Sequence, residues 1–281
     1  MRRFEYFEPT TLDEASALLS GSRMAQVLAG GTDLLVEIKE QLRRVERVVN
    51  IKKISGIGAL SFDAREGLRI GALVTAREIE IFPVILEKYS SLAQAARELG
   101  SIQVRNRATI VGNLCRASPS ADTLPPLIAD GAEVTIHGIR GERRVALEDF
   151  FTGPGKTVLE PGDLVTELRV PAPAPRTGKV YLKHGRRKAM ELATVGVAVS
   201  LSQSDIKIVL GAVAPTPIRA RKAEAILLNK IPNADLIDQA AQAAMEEARP
   251  IGNVRASASY RREMVGVLTR RALERALNLS K

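Results

Sequence analysis

A proline-rich segment at residues 171–178 divides the sequence into two parts. Pro171, Pro173 and Pro175 alternate with small or polar residues, and such a stretch is stiff, extended and unsuited to a helix or a central strand. The chain has 281 residues, more than one hydrophobic core usually organises. The sequence therefore predicts one domain over residues 1–172, with subdomains over about 1–56 and 57–172, and a second domain over residues 178–281.

The hydrophobic pattern predicts an α+β fold. In the first domain we expect helices at 12–19, 34–42 and 91–99, strands at 25–29 and 47–51, hairpins at 60–74 and 133–147, and an irregular stretch at 101–126. In the second domain we expect strands at 180–184, 194–202 and 205–213, then helices at 222–228, 235–249 and 257–277. Structureless stretches as long as 101–126 are usually functional in a compact domain.

The composition excludes several kinds of chemistry. Cys115 is the one cysteine, and His137 and His184 are the only histidines, so an internal disulfide, an iron–sulfur cluster and a His/Cys metal site within this chain are all disfavoured. No Ser/His/Asp or Cys/His arrangement is evident, and we predict no catalytic side chain. A redox cofactor bound to this chain would therefore be organic.

Charge and hydropathy bear on partners and location. The net charge is +9, but the basic residues are dispersed, aromatic residues are 4% and tryptophan is absent, so a nucleic-acid platform is not expected. No apolar run approaches the roughly 18 residues of a membrane span, and the first residues lack the apolar core of a secretory signal. We expect a cytoplasmic protein without a membrane span.

A glycine-bearing turn follows the strand predicted at 25–29. Its residues run Val27, Leu28, Ala29, Gly30, Gly31, Thr32, Asp33 and Leu34. Glycines let the backbone approach a ligand closely, and a pyrophosphate is the natural ligand of such a turn before a helix. The alternative is a tight turn in which Asp33 only caps the helix. The segment matches neither the dinucleotide fingerprint of Rossmann folds nor a P-loop.

A second polar segment lies in the stretch predicted to be irregular. It contains Thr109, Ile110, Val111, Gly112 and Asn113, and Asp122 follows. Its polar groups could bind phosphate oxygens, the edge of a flavin or ribityl hydroxyls, or could bond their own backbone. Two such segments in one chain favour a large phosphate-bearing ligand between them.

These motifs resemble the FAD-binding medium subunits, or middle domains, of the xanthine dehydrogenase and carbon monoxide dehydrogenase family. The family's A-G-G-x-x-L turn is similar to residues 29–34, its T-[IL]-G-G-N loop to 109–113 and its S-P-x-x-D motif to 118–122. Similarity continues through 150–154, 159–164, 181–186 and 255–262, so that it covers nearly the whole chain.

The resemblance implies a two-subdomain FAD-binding domain of the vanillyl-alcohol oxidase (PCMH-like) type, followed by a C-terminal antiparallel sheet packed with helices. It implies FAD contacts from residues 27–34 and 109–113 and from Leu99, Asp122, Leu164 and Lys183. The partners would be a small subunit with 2Fe–2S clusters and a large molybdopterin subunit in a hetero-oligomer. The chain would be an oxidoreductase subunit that carries electrons from those clusters through FAD to an external acceptor. Since neither histidine lies in the glycine segments and Cys115 is expected to be buried, we predict noncovalent FAD.

Two residues depart from the family pattern. Val111 stands where the family usually has glycine, and a β-branched residue does not easily adopt positive φ, so the backbone at 111 is conventional or the loop is displaced. Leu192 stands where some members place a tyrosine over the flavin. Both could change flavin affinity and potential. The alternatives are a stand-alone flavin reductase or oxidase, and an interaction subunit of the same fold without a cofactor.

Overall fold

The computed structural model describes residues 2–280, and their fold is α+β as predicted. Three larger sheets follow one another along the chain, the first parallel and the other two antiparallel. Helices lie between and against these sheets, and the largest core cluster extends from the first sheet to the third. No helix among these residues is long and apolar enough to cross a membrane.

The first sheet is parallel and has three strands in the order β1-β3-β2. Its elements are β1 (Glu5–Phe7), α1 (Leu12–Ser20), β2 (Ala25–Leu28), α2 (Leu34–Lys39) and β3 (Arg47–Asn50). Thr11 caps α1, since its hydroxyl accepts from the N–H of Glu14 at 3.2 Å. Because the strands run in one direction, the residues that follow all three lie at one edge of the sheet.

The second sheet has five antiparallel strands in the order β4-β5-β10-β6-β7. The strands are β4 (Leu60–Asp63), β5 (Gly67–Gly71), β6 (Glu133–Gly138), β7 (Gly141–Ala146) and β10 (Leu164–Val170), and a small pair, β8 (Phe151–Gly153) with β9 (Lys156–Thr157), precedes β10. Both hairpins expected from the sequence are present. The central strand β10 arrives last and pairs with one strand of each hairpin.

Six short helices connect β5 to β6. They are α3 (Ala76–Ile81), α4 (Pro83–Lys88), α5 (Ser90–Glu98), α6 (Ile102–Arg105), α7 (Ile110–Arg116) and α8 (Leu124–Ala129). The prediction that residues 101–126 are irregular is therefore wrong, because α6, α7 and the start of α8 lie there. These helices have four to seven residues, too short for a repeated apolar period to show in the sequence.

The third sheet has four antiparallel strands in sequence order. They are β11 (Gly178–His184), β12 (Val195–Leu201), β13 (Ile206–Gly211) and β14 (Ile218–Arg219), and the helices α9 (Arg221–Leu227), α10 (Ala234–Glu247) and α11 (Ala258–Leu279) follow. Val180 and Leu182 of β11 share a core with α10 and α11, whereas Tyr181 belongs to the core of the preceding part. The sheet is thus buried on both faces.

The second face of β11 is polar and packs against α8. Lys179, Tyr181 and Lys183 alternate along this face, as the two-residue period of a strand requires. The ammonium of Lys179 donates to Asp130, which follows α8, at 2.5 Å, and that of Lys183 donates to Asp122, which precedes α8, at 2.8 Å. Both ends of α8 are therefore tied to one strand of the third sheet. We call this the α8–β11 contact.

Candidate functional site

The glycine turn, residues 29–34, lies at the carboxyl edge of the parallel sheet. Gly31 has a φ of +75°, in the left-handed region that favours glycine. Gly30 has no space for a side chain, because a Cβ there would lie 2.1 Å from the carbonyl oxygen of Arg107. The N–H groups of Gly30, Gly31 and Thr32 donate to no backbone acceptor within residues 2–280. The turn therefore has backbone N–H donors without a partner among residues 2–280, and its backbone packs against that of residue 107.

The other residues predicted to form the site around this turn lie partly in a core and partly at the surface. Val27 and Leu28 end β2, and Leu28 and Leu34 belong to the small core beneath the turn. Asp33 precedes α2 but its side chain makes no capping hydrogen bond. That side chain is 61% exposed, and one of its oxygens lies 3.9 Å from Nε of Arg116. The capping role considered for Asp33 is therefore wrong.

The second predicted segment, residues 109–113, begins a helix. Thr109 is the N-cap of α7, and its hydroxyl accepts from the N–H of Gly112 at 3.0 Å. Ile110 and Val111 are buried in the main core, and Gly112 is exposed. The backbone at Val111 is helical, so the conventional conformation considered from the sequence is the one present.

Val111 is a packing residue, and Val111→Gly is expected to destabilise the protein. The side chain is 5% exposed within the main core. Its removal leaves a cavity and puts glycine into a helix, with a combined cost of about 2–4 kcal/mol. Urea unfolding of the cofactor-free protein measures this cost. A glycine variant as stable as the wild type would mean that Val111 crowds its surroundings and does not support them.

The structure brings the two predicted segments together. Gly30 contacts the backbone of Arg107 and Ala108, just before α7. At the other end of α7, a guanidinium nitrogen of Arg116 lies 2.8 Å from Oε1 of Glu37 in α2. Contacts at the two ends of α7 thus join it to the glycine turn and to α2.

A buried polar cluster lies beside the second segment, where α8 begins. Oδ1 of Asp122 accepts from the hydroxyl of Tyr181 at 2.7 Å, and Oδ2 accepts from Nζ of Lys183 at 2.8 Å. The side chains of Asp122 and Lys183 are each 7% exposed. Burial raises the pKa of the Asp122 carboxyl to about 6, against the lowering effect of Lys183, so that the carboxyl is ionised at neutral pH.

Two further predicted residues border this cluster. Nζ of Lys183 also donates to the carbonyl of Glu98 at 3.1 Å, directly before Leu99. The carbonyl of Leu99 accepts from Arg105 at 3.2 Å, and Oδ1 of Asn113 accepts from the hydroxyl of Thr123 at 2.7 Å. Leu99, Asn113, Asp122 and Lys183 are therefore neighbours, although they lie after α5, in α7, before α8 and in β11 respectively.

Leu164 and Leu192 lie outside the cluster. Leu164 is the first residue of β10, which packs against α7, and its side chain is 3% exposed in the main core. Leu192 lies in the loop between β11 and β12, and its side chain is 55% exposed. No aromatic ring stands at position 192 to cover a ligand.

Cys115 and the charged residues offer no covalent or metal chemistry of their own. Burial raises the pKa of the Cys115 thiol to about 12, so that it carries almost no thiolate at neutral pH. Within residues 2–280, no group of three His, Cys, Asp or Glu side chains is arranged to hold a metal ion. The arrangement is suited to binding and orienting a polar ligand.

Sequence reasoning missed Tyr181 and Thr123. Tyr181 belongs to the pattern Lys179, Tyr181, Lys183, whose spacing of two marks a polar strand face in an otherwise apolar strand. Thr123 carries no comparable signal, because its role depends on the path of the chain between α7 and α8. Arg107 was also missed, since its contact with Gly30 is a backbone contact between distant segments.

Two family models match the chain. The model described as the FAD-binding domain in molybdopterin dehydrogenase matches residues 2–173. The model described as the CO dehydrogenase flavoprotein C-terminal domain matches residues 180–276. The glycine turn, the α7 segment and Asp122 lie within the first match, and Lys183 lies within the second.

Curated proteins and solved structures match over nearly the whole chain. A putative xanthine dehydrogenase FAD-binding subunit of Escherichia coli is 30% identical, with 97% of this chain and 95% of that protein covered. The carbon monoxide dehydrogenase medium chain of Hydrogenophaga pseudoflava is 34% identical, with 98% and 97% covered. A solved structure of carbon monoxide dehydrogenase from that organism, lacking the Mo-pyranopterin moiety, matches with a TM-score of 0.95 at 34% identity, covering 99% of this chain and 98% of that one.

Proposed function

Because the chain belongs to the family defined by the FAD-binding domain of molybdopterin dehydrogenases, we propose that it is the FAD-carrying subunit of a molybdenum hydroxylase complex. In that role it takes electrons from iron–sulfur clusters of a partner subunit and passes them to an external acceptor. Bound FAD supplies the redox chemistry, and this chain supplies binding, orientation and electrostatics.

The contact between the glycine turn and the backbone before α7 is the observation that carries the proposal. Unpaired N–H groups at Gly30, Gly31 and Thr32 are suitable donors for pyrophosphate oxygens. The absence of side chains at Gly30 and Gly31 lets the turn pack against the backbone of Arg107 and the side chains of Leu28 and Leu35, which fixes the position of these donors. The residues present therefore fit a dinucleotide.

The buried cluster at Asp122 fits the polar part of the same ligand. A lysine ammonium has three N–H donors, and Lys183 uses two of them on Asp122 and Glu98, which leaves one for a ligand. The amide nitrogen of Asn113 is also available, since only its Oδ1 is engaged by Thr123. These groups would donate to acceptors on the ligand, and the ion pair with Asp122 holds Lys183 in position.

We assign the FAD contacts to the residues carried over from the family motifs. They are residues 27–34 and 109–113 with Leu99, Asp122, Leu164 and Lys183. Val27, Leu28, Ile110, Val111 and Leu164 would act through backbone groups or by supporting the site, because their side chains contribute to cores. The polar contacts would come from the glycine turn, Asn113 and Lys183.

Relatives support a hetero-oligomer. The Hydrogenophaga relative is a medium chain, and a Eubacterium barkeri relative is the FAD subunit of nicotinate dehydrogenase. We propose a small 2Fe–2S subunit and a large molybdopterin subunit as partners. We also propose domains at 1–172, divided near residue 57, and at 178–281, a division supported by family matches that end at 173 and resume at 180.

Noncovalent FAD is the first expected result. Purified protein should show flavin absorption bands, and acid precipitation should release the flavin into the supernatant, because the Cys115 thiol is protonated and His137 and His184 lie outside the glycine segments. Absorbance spectra of supernatant and pellet measure the release.

Two outcomes contradict this proposal in different ways. Flavin that stays with the denatured pellet would mean a covalent link. Protein that neither carries nor takes up added FAD would favour the alternative of an interaction subunit without a cofactor. Recovery of iron and molybdenum with the tagged chain from its native host tests the partners separately, and their absence favours a stand-alone flavoprotein.

A further inference from the structure

Lys52 lies at the edge of the parallel sheet that carries the glycine turn. Leu28, the last residue of β2, is paired in register with Asn50, the last residue of β3. The glycine turn continues from the first of these strands and Lys52 follows the second by two residues. In open sheets with parallel strands, ligands bind beyond the carboxyl ends of the strands. The ammonium of Lys52 is held near this edge by Oδ1 of Asn50, at 3.1 Å.

Two cations near this edge have no carboxylate partner in the described part of the chain, residues 2–280. The neighbouring Lys53 is paired with Glu8, with Nζ and Oε2 2.7 Å apart. Within residues 2–280, neither Lys52 nor Arg107 forms an ion pair with an acidic side chain. The edge therefore carries an excess of positive charge beside the free N–H groups of the turn.

The backbone of Arg107 lies against the glycine turn. Its carbonyl oxygen lies against Gly30. Partial burial and the positive charge of Arg107 together lower the pKa of Lys52, while Glu8 only partly offsets them, so that the two cations repel one another. A bound anion between them would remove this repulsion.

We propose that Lys52 and Arg107 form an anion site that binds the phosphate groups of a dinucleotide lying on the glycine turn. This inference rests on the proposed function and adds two charged side chains to the proposed FAD site. The backbone donors of the turn fix where the phosphates lie, and the two cations neutralise their charge. Binding through these cations depends on ionic strength, since salt screens partly exposed charges.

The test compares ligands that differ in phosphate content. Full-length protein is titrated with FAD, FMN and riboflavin at several salt concentrations, and flavin fluorescence gives the dissociation constants. Lys52→Met and Arg107→Met should each weaken FAD binding about tenfold, the typical effect of losing one charge-assisted hydrogen bond. They should flatten the salt dependence for FAD and leave riboflavin binding unchanged. Lys52→Arg should retain most of the affinity.

The matched control is the double variant Glu8→Gln/Lys53→Met. It removes the adjacent lysine while the net charge of the edge stays the same, so FAD affinity and its salt dependence should match the wild type. Thermal melting of each cofactor-free variant checks that the fold is intact. A Lys52→Met protein that is folded and has wild-type FAD affinity and salt dependence would overturn the site.

Inorganic pyrophosphate separates this inference from the proposed function. If the wild type binds FAD and Lys52→Met does not change that binding, only the anion site is wrong. If the wild type binds pyrophosphate in a Lys52-dependent manner but takes up no flavin, the anion site stands and the FAD assignment fails. Absence of both kinds of binding contradicts both proposals.

Discussion

Gly30→Ala is expected to weaken FAD binding about 100-fold, equivalent to roughly 2.8 kcal/mol. The added Cβ would lie 2.1 Å from the carbonyl oxygen of Arg107 and 3.0 Å from Cα of Ala108. Both neighbours are backbone atoms, so the glycine turn and the segment before α7 must move apart. Their separation displaces the donors on both sides of the ligand. Flavin fluorescence titration measures the affinity, and urea unfolding of the cofactor-free protein should show a cost of about 1–3 kcal/mol.

Gly58→Ala is the control for this substitution. The nearest atom to a Cβ at Gly58 is a side-chain carbon of Leu73 at 3.8 Å, an ordinary contact. This variant should keep wild-type flavin affinity and lose no stability. Wild-type FAD affinity in a folded Gly30→Ala protein would show that the ligand does not lie on the turn.

Lys179→Met is expected to lower the free energy of unfolding by about 3–5 kcal/mol, because it leaves Asp130 as a buried, unpaired carboxylate. The side chains of Lys179 and Asp130 are 4% and 1% exposed. The ammonium also lies 4.7 Å from the ring centroid of Tyr89, a contact that methionine would not replace electrostatically. Chemical denaturation of the cofactor-free protein measures the loss.

The pH dependence of this loss has a definite sign. Burial raises the pKa of the Asp130 carboxyl, and loss of the Lys179 charge raises it further. A carboxyl whose folded-state pKa lies above its unfolded-state pKa takes up a proton preferentially in the native state, so the deficit of the variant should shrink as pH falls. A deficit that grows toward low pH would contradict this account.

Two further variants show how much of this loss in the free energy of unfolding comes from the buried, unpaired charge. Lys179→Met/Asp130→Leu removes both charges and should recover most of the lost stability. Lys53→Met breaks the exposed pair with Glu8 and should leave the free energy of unfolding close to that of the wild type, because solvent screens exposed pairs. If Lys179→Met and Lys53→Met lower the free energy of unfolding equally, burial does not determine how much these ion pairs stabilise the protein.

The sequence predicted the elements with a strong local signal. The strand, glycine turn and helix at residues 25–39 combine an apolar run with a turn that requires glycine, and both are visible in a short window. The helix predicted at 235–249 corresponds to α10, whose buried residues Ile237, Ala240, Ala241 and Ala244 recur at helical spacing on the side that packs on α11. The hairpins predicted at 60–74 and 133–147 are both present, and each has a glycine with positive φ at its turn, Gly67 in the first and Gly141 in the second.

The prediction of an irregular stretch at residues 101–126 was wrong because the helices there are too short to give a clear local signal. Ser101 and Thr109 are N-caps, but the helices they begin are shorter than two full turns. Pro125 and Pro126 both stand in the first turn of α8, where a missing N–H is tolerated. Apolar contacts with the main core stabilise these helices, and such contacts are not visible from local sequence.

The residues of the candidate site were predicted one by one, but the contacts between them were not. The family motifs supplied Asp122 and Lys183 separately. Their ion pair depends on the packing of α8 against β11, across 61 residues of chain. Lys52 and Arg107 carry no motif. The pairing of β2 with β3 places Lys52 at the edge that carries the glycine turn, and a backbone contact with Gly30 places Arg107 beside it.

The α8–β11 contact has a consequence for protein synthesis. Asp122 and Asp130 emerge from the ribosome well before the lysines that neutralise them, which follow 61 and 49 residues later. A nascent chain that ends within the proline-rich segment has the glycine turn and both aspartates, but neither lysine. Domains generally fold in order from the N-terminus during translation. We therefore expect flavin to load only after β11 has been made, and a ribosome stalled before codon 183 carries a polypeptide in which Asp122 lacks its lysine partner.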